Sequence, residues 1–324
     1  MARAFPRIHL LQTAIASDNV GDEIIVEDCL HELRDILSRA YVTTSSSHDG
    51  LGNSGRGLAA DADLVFMLGT NALRDRKIVP WRYYMWKLTR ADVAVLANKV
   101  VLVGVGANRA FKGVSAGQKR LLGTILSDQH LHSVRDASAL KIVEGCGREV
   151  VNTSCPTLWK WREAVPDSPA GKAASVCFTL TKHKPDEQAD RALIRILREN
   201  YEKLWFWPQQ PRDLDYLRSL GDIGGIEVIA PNLVAYDAVL SNNDVDVIGT
   251  RLHGTIRALK HHRRLIVVAI DARATEIAAD TGLTVLKRKE LEARLPAMIA
   301  SEFETKLNLD NAALDRFLGQ FANL

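Results

Sequence analysis

An arginine and a histidine stand two residues apart in the stretch VDVIGTRLHGTIRAL, residues 245–259. An apolar run typical of a buried strand ends at Gly249 and a helical pattern follows, so Thr250 is predicted to be the N-cap of a helix. Arg251 and His253 then fall in the first helical turn, where unpaired backbone N–H groups favour an anion. The guanidinium supplies paired donors for phosphate or carboxylate, and the imidazole changes protonation near neutral pH. The stretch predicts an anion site with a proton-transfer group, although lone histidines are commonly structural.

A turn near the start of the chain combines acidic and amide side chains. In SDNVGDE, residues 17–23, Gly21 permits a tight bend between an apolar run and a helical pattern. A side-chain oxygen of Asp18 or Asn19 is expected to cap the helix. Capping accounts for only one of these residues, and Asp22 stands beside them at the same strand end. The turn therefore predicts a functional carboxylate as well as a cap.

Basic residues end two further apolar runs. Arg135 stands in HSVRDASAL, where Asp136 or Ser138 is expected to cap the next helix. Arg135 is either the structural partner of Asp136 or a guanidinium that binds an anion through its fork of donors. In AIDARATE, Asp271 and Arg273 follow a strand pattern, and Arg273 is a candidate second positive charge beside Arg251. Two such arginines suit a ligand that carries both a carboxylate and a phosphate.

Three turns carry weaker signals. MLGTNAL (67–73) and GVGANRAF (104–111) place glycines after apolar runs, where backbone N–H groups can approach a ligand. Asn71 is the amide residue of the first turn. The second is not a complete G-x-G-x-x-G, because Arg109 occupies the position of the third glycine, so it gives little support to a dinucleotide site. Gln209 follows the strand pattern of WFWPQQPRD.

Length and composition restrict the class of protein. The chain has 324 residues, 47% apolar and 25% charged, which is typical of a soluble globular protein with two domains. Its formal charge of +3 does not favour nucleic-acid binding. The four cysteines form no C-x-x-C pair, so neither a metal site nor a disulfide framework is predicted. The N-terminal residues do not match a signal peptide, and no apolar run reaches about 18 residues, so a cytoplasmic protein is expected.

Short apolar runs alternate with longer amphipathic stretches along most of the chain. This rhythm is typical of α/β proteins with parallel sheets. We predict two doubly wound, Rossmann-like domains with a cleft between them, in which ligands bind beyond the carboxyl ends of the strands. The predicted strands span residues 8–14, 64–69, 100–106, 131–136, 149–154, 175–180, 203–208, 226–231, 245–249 and 265–270.

The predicted boundaries follow breaks in this rhythm. Residues 1–160 form the N-terminal domain, residues 161–172 a linker, residues 173–300 the C-terminal domain, and residues 301–324 contain an amphipathic helix that packs across the domains. Residues 43–57, TTSSSHDGLGNSGRG, are predicted to be a mobile loop because of their bias towards serine and glycine.

Together these motifs resemble the polysaccharide pyruvyl transferase family. The N-x-G-D turn of that family is matched by Asn19, Gly21 and Asp22, and its V-R-D segment is matched around Arg135. Its most specific element is R-L-H after an apolar strand, which is matched by residues 251–253.

The resemblance extends in the right order over residues 8–285. It departs from the family on the acceptor side, where the glycine-rich turn is reduced to residues 69–71 and Cys155 stands at the place of an aspartate. The resemblance implies a GT-B-like fold, phosphoenolpyruvate as donor and two hydroxyls of a sugar as acceptor. The implied product is a pyruvate ketal on a cell-envelope polysaccharide, such as an exopolysaccharide, or on its lipid-linked precursor.

This reaction needs an acid that protonates the methylene carbon of the donor while its phosphate and carboxylate are held. The resemblance implies His253 as the acid and Asp22 as the base for the acceptor hydroxyl. The implied donor-binding residues are Arg135, Thr250, Arg251 and Arg273. Those implied for the acceptor or cleft are Asp18, Asn19, Gly21, Asn71 and Gln209. The scheme requires no metal and no cofactor.

Two other functions stay open at this point. A GT-B nucleotide-sugar glycosyltransferase would share the fold, and Arg251 would hold a diphosphate equally well. A non-catalytic glycan-binding or assembly subunit would keep the fold without turnover, although the intact Arg251–His253 pair argues against it. The basic clusters KHHRRL (260–265) and LKRKEL (286–291) are either solvated helix ends or contacts with phosphorylated lipid head groups at the inner face of a membrane. Oligomerisation also stays open.

Overall fold

The contacts of the chain divide it into two compact units. The computed structural model describes residues 4–73, 86–107, 111–162 and 168–324. The first unit comprises Met1–Ser17, Ile25–Arg162 and Leu309–Leu324, and the second comprises Asp18–Ile24 and Glu163–Asn308. The short segment Asp18–Ile24 therefore belongs by its contacts to the unit that is otherwise built from the C-terminal half of the chain.

The first unit is built on parallel strands. In chain order they are β1 (Arg7–Gln12), β2 (Tyr41–Ser46), β3 (Leu64–Leu68), β4 (Val100–Val103), β5 (His132–Val134) and β6 (Val150–Asn152). Four of them form a sheet in the order β2-β1-β3-β4, and β5 pairs with β6. A parallel bridge between Val105 and Val134 connects the segment after β4 to β5. Residues on alternate positions enter two cores, with Ile8 and Leu10 in one and Leu11 in the other.

Helices of this half connect the strands. They are α1 (Val20–Glu32), α2 (Arg34–Leu37), α3 (Asn53–Asp61), α4 (Arg90–Leu96), α5 (Ala116–Ile125) and α6 (Ala137–Gly145). A 3₁₀ helix at Pro156–Arg162 follows β6. Helix α1 starts inside the segment that belongs to the second unit and continues into the first.

Strand β2 and helix α3 show that the prediction of a loop over residues 43–57 was wrong. Thr43 and Ser45 of β2 bond the buried ring of His9 on β1, with distances of 2.8 Å to Nδ1 and 3.0 Å to Nε2. The hydroxyls that make this segment look like a loop therefore satisfy a buried polar side chain inside a sheet. Strand β2 lies at the edge of the sheet and its residues are exposed or only partly buried, so it needs no continuous apolar run.

In the described part of the second unit, six parallel strands form one sheet. They are β7 (Ser175–Thr179), β8 (Lys203–Phe206), β9 (Ile226–Val228), β10 (Val245–Gly249), β11 (Leu265–Ala269) and β12 (Val285–Lys287). Their order is β12-β11-β10-β7-β8-β9. The prediction of β7 to β11 is confirmed, because these runs are apolar over most of their length. The short edge strand β12 was not predicted.

Helices cover this sheet and end the chain. They are α7 (Glu187–Asn200), α8 (Pro211–Ser219), α9 (Leu233–Asn242), α10 (Leu252–Ile256), α11 (Ala272–Thr281), α12 (Leu291–Ala300) and α13 (Asn311–Gly319). Short 3₁₀ helices span Arg257–His261 and Arg288–Glu290. The apolar face predicted for the last helix is confirmed, since Leu314, Phe317 and Phe321 are buried in a core of the first unit. Among the described residues, no helix is long and apolar enough to cross a membrane.

Protonation of His132 is expected to destabilise the fold in weak acid. Its Nδ1 accepts a hydrogen bond from the Leu102 N–H at 3.2 Å and its Nε2 donates to the Ser127 carbonyl at 2.9 Å, so the ring must be neutral. Burial lowers the pKa of His132 to about 4 from the ordinary value of 6.5. As the pH falls below 6.5 the unfolded chain therefore binds a proton that the folded chain does not. The free energy of unfolding should decrease by about 1 kcal/mol from this residue between about pH 7 and pH 5.5.

Urea unfolding at these two pH values measures the effect. Burial also lowers the pKa of His9 to about 4, so this residue acts in the same direction. A His132→Asn variant should be less stable at neutral pH. Its free energy of unfolding should differ less between the two pH values than that of the wild type, by the contribution of one histidine. A difference equal to that of the wild type would contradict the prediction.

Candidate active site

The carboxyl ends of four neighbouring strands lie at one edge of the six-stranded sheet. Strands β11, β10, β7 and β8 are adjacent and parallel, so the segments that follow them emerge together. These segments are residues 271–273, 250–254, 181–185 and 207–213. They contain the predicted site residues Gln209, Thr250, Arg251, His253 and Arg273.

Arg251 is held by two side chains that follow β8. Its Nε donates to Asp213 Oδ2 at 2.9 Å, and its Nη2 donates to Asp213 Oδ1 at 2.5 Å and to Gln210 Oε1 at 2.6 Å. Asp213 is fully buried, whereas the Arg251 side chain is 10% exposed. The two N–H groups on Nη1 have no partner among the residues that the structure describes. Asp213 therefore fixes the guanidinium and leaves one nitrogen available to a ligand oxygen.

The helix after β10 starts later than predicted. Arg251, not Thr250, is its N-cap, and it makes no capping side-chain bond. The reason is that pairing with β7 continues past the strand, because the N–H of Thr250 donates to the Thr179 carbonyl at 3.0 Å and the N–H of Arg251 donates to Thr179 Oγ1 at 3.2 Å. The helix has 5 residues, so its dipole is small and attraction for an anion rests on Arg251. His253 lies in this helix and is 9% exposed.

Two consecutive glutamines link the N-terminal turn to the turn after β10. Gln209 donates from Nε2 to Asn19 Oδ1 at 2.7 Å and accepts from the Gly254 N–H at 3.1 Å. Gln210, which accepts from Arg251, donates to Asp18 Oδ1 at 2.9 Å. Asn19 also accepts from the Gly21 N–H at 3.1 Å, as expected of a helix cap. Both polar turns are therefore parts of one hydrogen-bonded cluster in the second unit.

Two glycines of the cluster are required by the close approach of Gln209. A Cβ on Gly21 would overlap the side-chain amide of Gln209. A Cβ on Gly254 would lie 2.7 Å from Gln209 Oε1 and 2.9 Å from the ring of Trp207. Asp22 is buried and follows Gly21 in the first turn of α1. Its place in the second unit differs from the N-terminal domain expected for it from the sequence.

Arg273 is paired with the residue that caps its own helix. Its guanidinium donates to both oxygens of Asp271, at 2.7 Å from Nη2 to Oδ2, and Lys184 Nζ lies 3.1 Å from the same oxygen. Burial would raise the pKa of Asp271, but the hydrogen bonds and charges of Arg273 and Lys184 hold it below its ordinary value. Asp271 therefore stays ionised and orients two cations at the sheet edge.

Arg135 and Asn71 are directly bonded to each other in the first unit. Arg135 is 1% exposed, its Nη2 donates to Asn71 Oδ1, and its Nη1 lies 3.9 Å from the sulfur of Cys155. Cys155 is fully buried and also accepts from the hydroxyl of Thr157 at 3.2 Å. The resemblance assigned Arg135 to the donor and Asn71 to the acceptor. The structure joins them in one polar cluster at the ends of β3 and β5.

The backbone before Asn71 is strained. Thr70 has a φ of 68°, in the left-handed region that β-branched residues rarely adopt. Its hydroxyl is buried and has no hydrogen-bond partner among the described residues. Strain of this kind is concentrated at ligand sites, which supports Asn71 as a site residue. Nearby, Asp136, one of the two residues predicted to cap α6, is the N-cap and accepts from the Ala139 N–H at 2.7 Å.

The chain matches a known protein family over most of its length. The family model for polysaccharide pyruvyl transferase matches residues 19–272, which include the N-terminal turn, Arg135 and the R-L-H turn. The chain belongs to the polysaccharide pyruvyl transferase family. This is a family of transferases, and the recognition made from the sequence motifs is confirmed. No curated protein sequence matches the chain significantly.

Solved structures agree with the expected fold class. The UDP-GlcNAc 2-epimerase of Methanocaldococcus jannaschii, in complex with UDP-GlcNAc and UDP, is 11% identical, with a TM-score of 0.51 over 97% of this chain and 98% of that chain. The S. aureus protein MnaA, in a structure with UDP, is 13% identical, with a TM-score of 0.52 over 93% of this chain and 92% of that chain. These similarities confirm a GT-B-like α/β fold for this pyruvyl transferase family member.

Several residues around Arg251 were missed in the sequence. Asp213 stands three positions after Gln210 at the start of α8, and its Oδ2 accepts from the Gln210 N–H at 3.1 Å. That spacing is a capping signal and could have drawn attention to it. The run Lys182–Lys184 in the loop after β7 could also have drawn attention, because it places basic residues near a strand end. The predicted turn around Arg109 lies partly outside the described residues, so it stays a prediction.

Proposed function

We propose that the protein transfers the pyruvyl group of phosphoenolpyruvate to two hydroxyls of a sugar and forms a pyruvate ketal. The sugar belongs to a polysaccharide or to its lipid-linked precursor. The observation that carries the donor assignment is the guanidinium of Arg251, which Asp213 and Gln210 fix while its Nη1 has no partner among the described residues. This is the arginine of the R-L-H motif, and His253 follows two residues later.

The charge at this sheet edge suits a small ligand with two anionic groups. Arg251 and Arg273 follow adjacent strands, and Lys184 bonds Asp271 beside Arg273. Phosphoenolpyruvate carries a carboxylate and a phosphate on neighbouring atoms. The two N–H groups on Nη1 of Arg251 can donate to oxygens of either group.

The proposed reaction begins with a proton transfer to carbon. His253, as imidazolium, donates a proton to the methylene carbon, which becomes a methyl group while C2 becomes electrophilic. A sugar hydroxyl attacks C2 and loses its proton to Asp22. The second hydroxyl then attacks C2, the bond between C2 and the phosphate oxygen breaks, and the proton of this hydroxyl passes to the leaving group, which departs as inorganic phosphate. The two new C–O bonds complete the ketal. Arg251 stabilises the negative charge of the donor throughout.

A nucleotide-sugar transferase is the second candidate. Its support is that related folds have been solved with UDP or UDP-GlcNAc, and Arg251 could donate to a diphosphate. The two candidates differ in the ligand that must stabilise the native state.

Thermal unfolding with each ligand separates the candidates. A ligand that binds only the folded protein raises its melting temperature. We expect stabilisation by phosphoenolpyruvate, and release of inorganic phosphate from it only when a glycan acceptor with two suitably placed hydroxyls is present. Stabilisation by UDP-GlcNAc without any effect of phosphoenolpyruvate would replace the proposal with the glycosyltransferase. Binding of phosphoenolpyruvate without turnover over a panel of acceptors would favour a non-catalytic subunit.

A further inference from the structure

The loop Thr181–Pro185 after β7 is anchored by its backbone. The N–H of Lys182 donates to Asp213 Oδ1 at 3.1 Å, and the N–H of His183 donates to Thr181 Oγ1 at 3.2 Å. The carbonyl of Lys184 accepts from Arg288 Nη1 at 2.7 Å. Three successive residues of an exposed loop are thus held in place, and Pro185 restricts the backbone after them.

The side chains of these three residues are exposed. Lys182 places its ammonium 5.0 Å from the ring centre of Tyr216 and makes no ion pair among the described residues. The ring nitrogens of His183 have no hydrogen-bond partner within the described part of the chain. Lys184 is paired with Asp271 and remains 47% exposed. The loop therefore presents donors that folding leaves unsatisfied by protein groups.

Positively charged side chains that follow three different strands affect the protonation of His183. Although the side chain is exposed to solvent, its partial burial is the largest cause that lowers the pKa of His183. The positive charges of Arg273, Lys184 and Arg251 lower it further, against the opposing effect of Asp271. His183 therefore lies within electrostatic reach of both arginines assigned to the donor. Asp213 neutralises Arg251, and the single carboxylate of Asp271 is shared by Arg273 and Lys184. Together with the charge of Lys182, which is unpaired among the described residues, these groups leave an excess of positive charge at this sheet edge.

We propose that Lys182 and His183 form a phosphate subsite next to Arg251. They bind the phosphate of the donor and hold it as it leaves, while Nη1 of Arg251 takes the carboxylate. The identity of the donor rests on the proposed function, but binding of a phosphate group by the loop does not. Lys182 shares Asp213 with Arg251, because both donate to Oδ1 of that carboxylate, so the subsite and the guanidinium have a common support.

The proposal predicts that phosphate binding protonates His183. A bound dianion offsets the charges of Arg273, Lys184 and Arg251 that disfavour the imidazolium, so the pKa of His183 must rise on binding. Inorganic phosphate is the probe, titrated into the full-length protein by calorimetry, with the imidazole signals followed by NMR. A purely structural histidine would show no such coupled proton uptake.

Two variants and two matched controls test the subsite. Lys182→Met and His183→Gln should each weaken the binding of inorganic phosphate at least about tenfold without lowering the melting temperature, because each removes a hydrogen bond to a charged group. Lys260→Met and His262→Asn serve as controls, because both residues precede β11 and so lie toward the amino edge of the same sheet. Asparagine is chosen at His262 because that residue has a φ of 54°.

The outcomes separate this inference from the proposed function. Phosphate binding that the two loop variants abolish would support the subsite even if phosphoenolpyruvate is never turned over. Turnover with an unchanged KM for phosphoenolpyruvate in both variants would overturn the subsite and leave the proposed function standing. Absence of phosphate binding to the wild type, or equal weakening in the control variants, would also overturn it.

Discussion

Replacing His253 by alanine is expected to reduce the release of phosphate from phosphoenolpyruvate by about 10²–10⁴-fold, the usual contribution of a general acid. The reason is that, in the proposed reaction, carbon protonation has no other acid in the R-L-H turn, where Arg251 is proposed to hold the donor. The variant should remain folded, because His253 sits in a helix of only 5 residues that β10 and β11 support by packing. Single-turnover assays of phosphate release, with circular dichroism as the folding check, measure both effects.

His261 offers a matched control for this substitution. It lies in the 3₁₀ helix that follows α10, and its ring bonds Asp237 at 2.8 Å and Ser241 at 2.9 Å. His261→Ala should cost some stability and leave the rate of phosphate release unchanged. If His253→Ala and His261→Ala were equally active, His253 would not be the acid.

Asp213→Ala is expected to have the largest combined effect on stability and activity. It leaves the guanidinium of Arg251 without its carboxylate and removes the acceptor of the Lys182 and Gln210 N–H groups. Removing one partner of a buried ion pair typically lowers the free energy of unfolding by about 3–5 kcal/mol. The KM for phosphoenolpyruvate should rise at least about tenfold, because Arg251 is no longer oriented. Urea unfolding and steady-state kinetics at low temperature provide the two measurements.

Asp246→Ala separates loss of stability from loss of orientation. Asp246 is buried in the same unit, where it bonds Arg264 at 2.9 Å and Tyr201 at 2.6 Å. Asp246→Ala should lower the free energy of unfolding by about as much as Asp213→Ala does. Because Asp246 lies near the start of β10, away from the carboxyl edge, the KM for phosphoenolpyruvate should not change. An equal KM in the two variants would mean that Asp213 does not position Arg251 for the donor.

Much of the fold could be predicted because buried parallel strands need continuous apolar residues. Strands such as β3, β10 and β11 are covered on both faces, and their runs are visible without any knowledge of their neighbours. Edge strands lack this requirement. β2 uses hydroxyl residues that satisfy His9, so its sequence has the composition of a loop.

A candidate site at the end of β10 was predicted from the sequence, but the partners of its residues were not. An arginine and a histidine after the apolar run of β10 indicate a ligand at a strand end, and the motif resemblance identified the family. The partner of Arg251 is Asp213, which lies 38 positions earlier in the chain. Strands β10 and β8 are the two neighbours of β7 in the sheet. The segments that follow them are therefore close enough for the two side chains to meet.

The sequence by itself determined which fully buried segments become strands, which turns carry polar residues and which family the chain belongs to. These properties depend on local pattern, since burial requires apolar residues and a motif is a short string. Only the tertiary structure decided that Asp213 and Gln210 fix Arg251, that Arg135 binds Asn71, and that Asp18–Ile24 belongs to the second unit. Such pairings depend on the order of strands in each sheet, which long-range packing sets and no local pattern records.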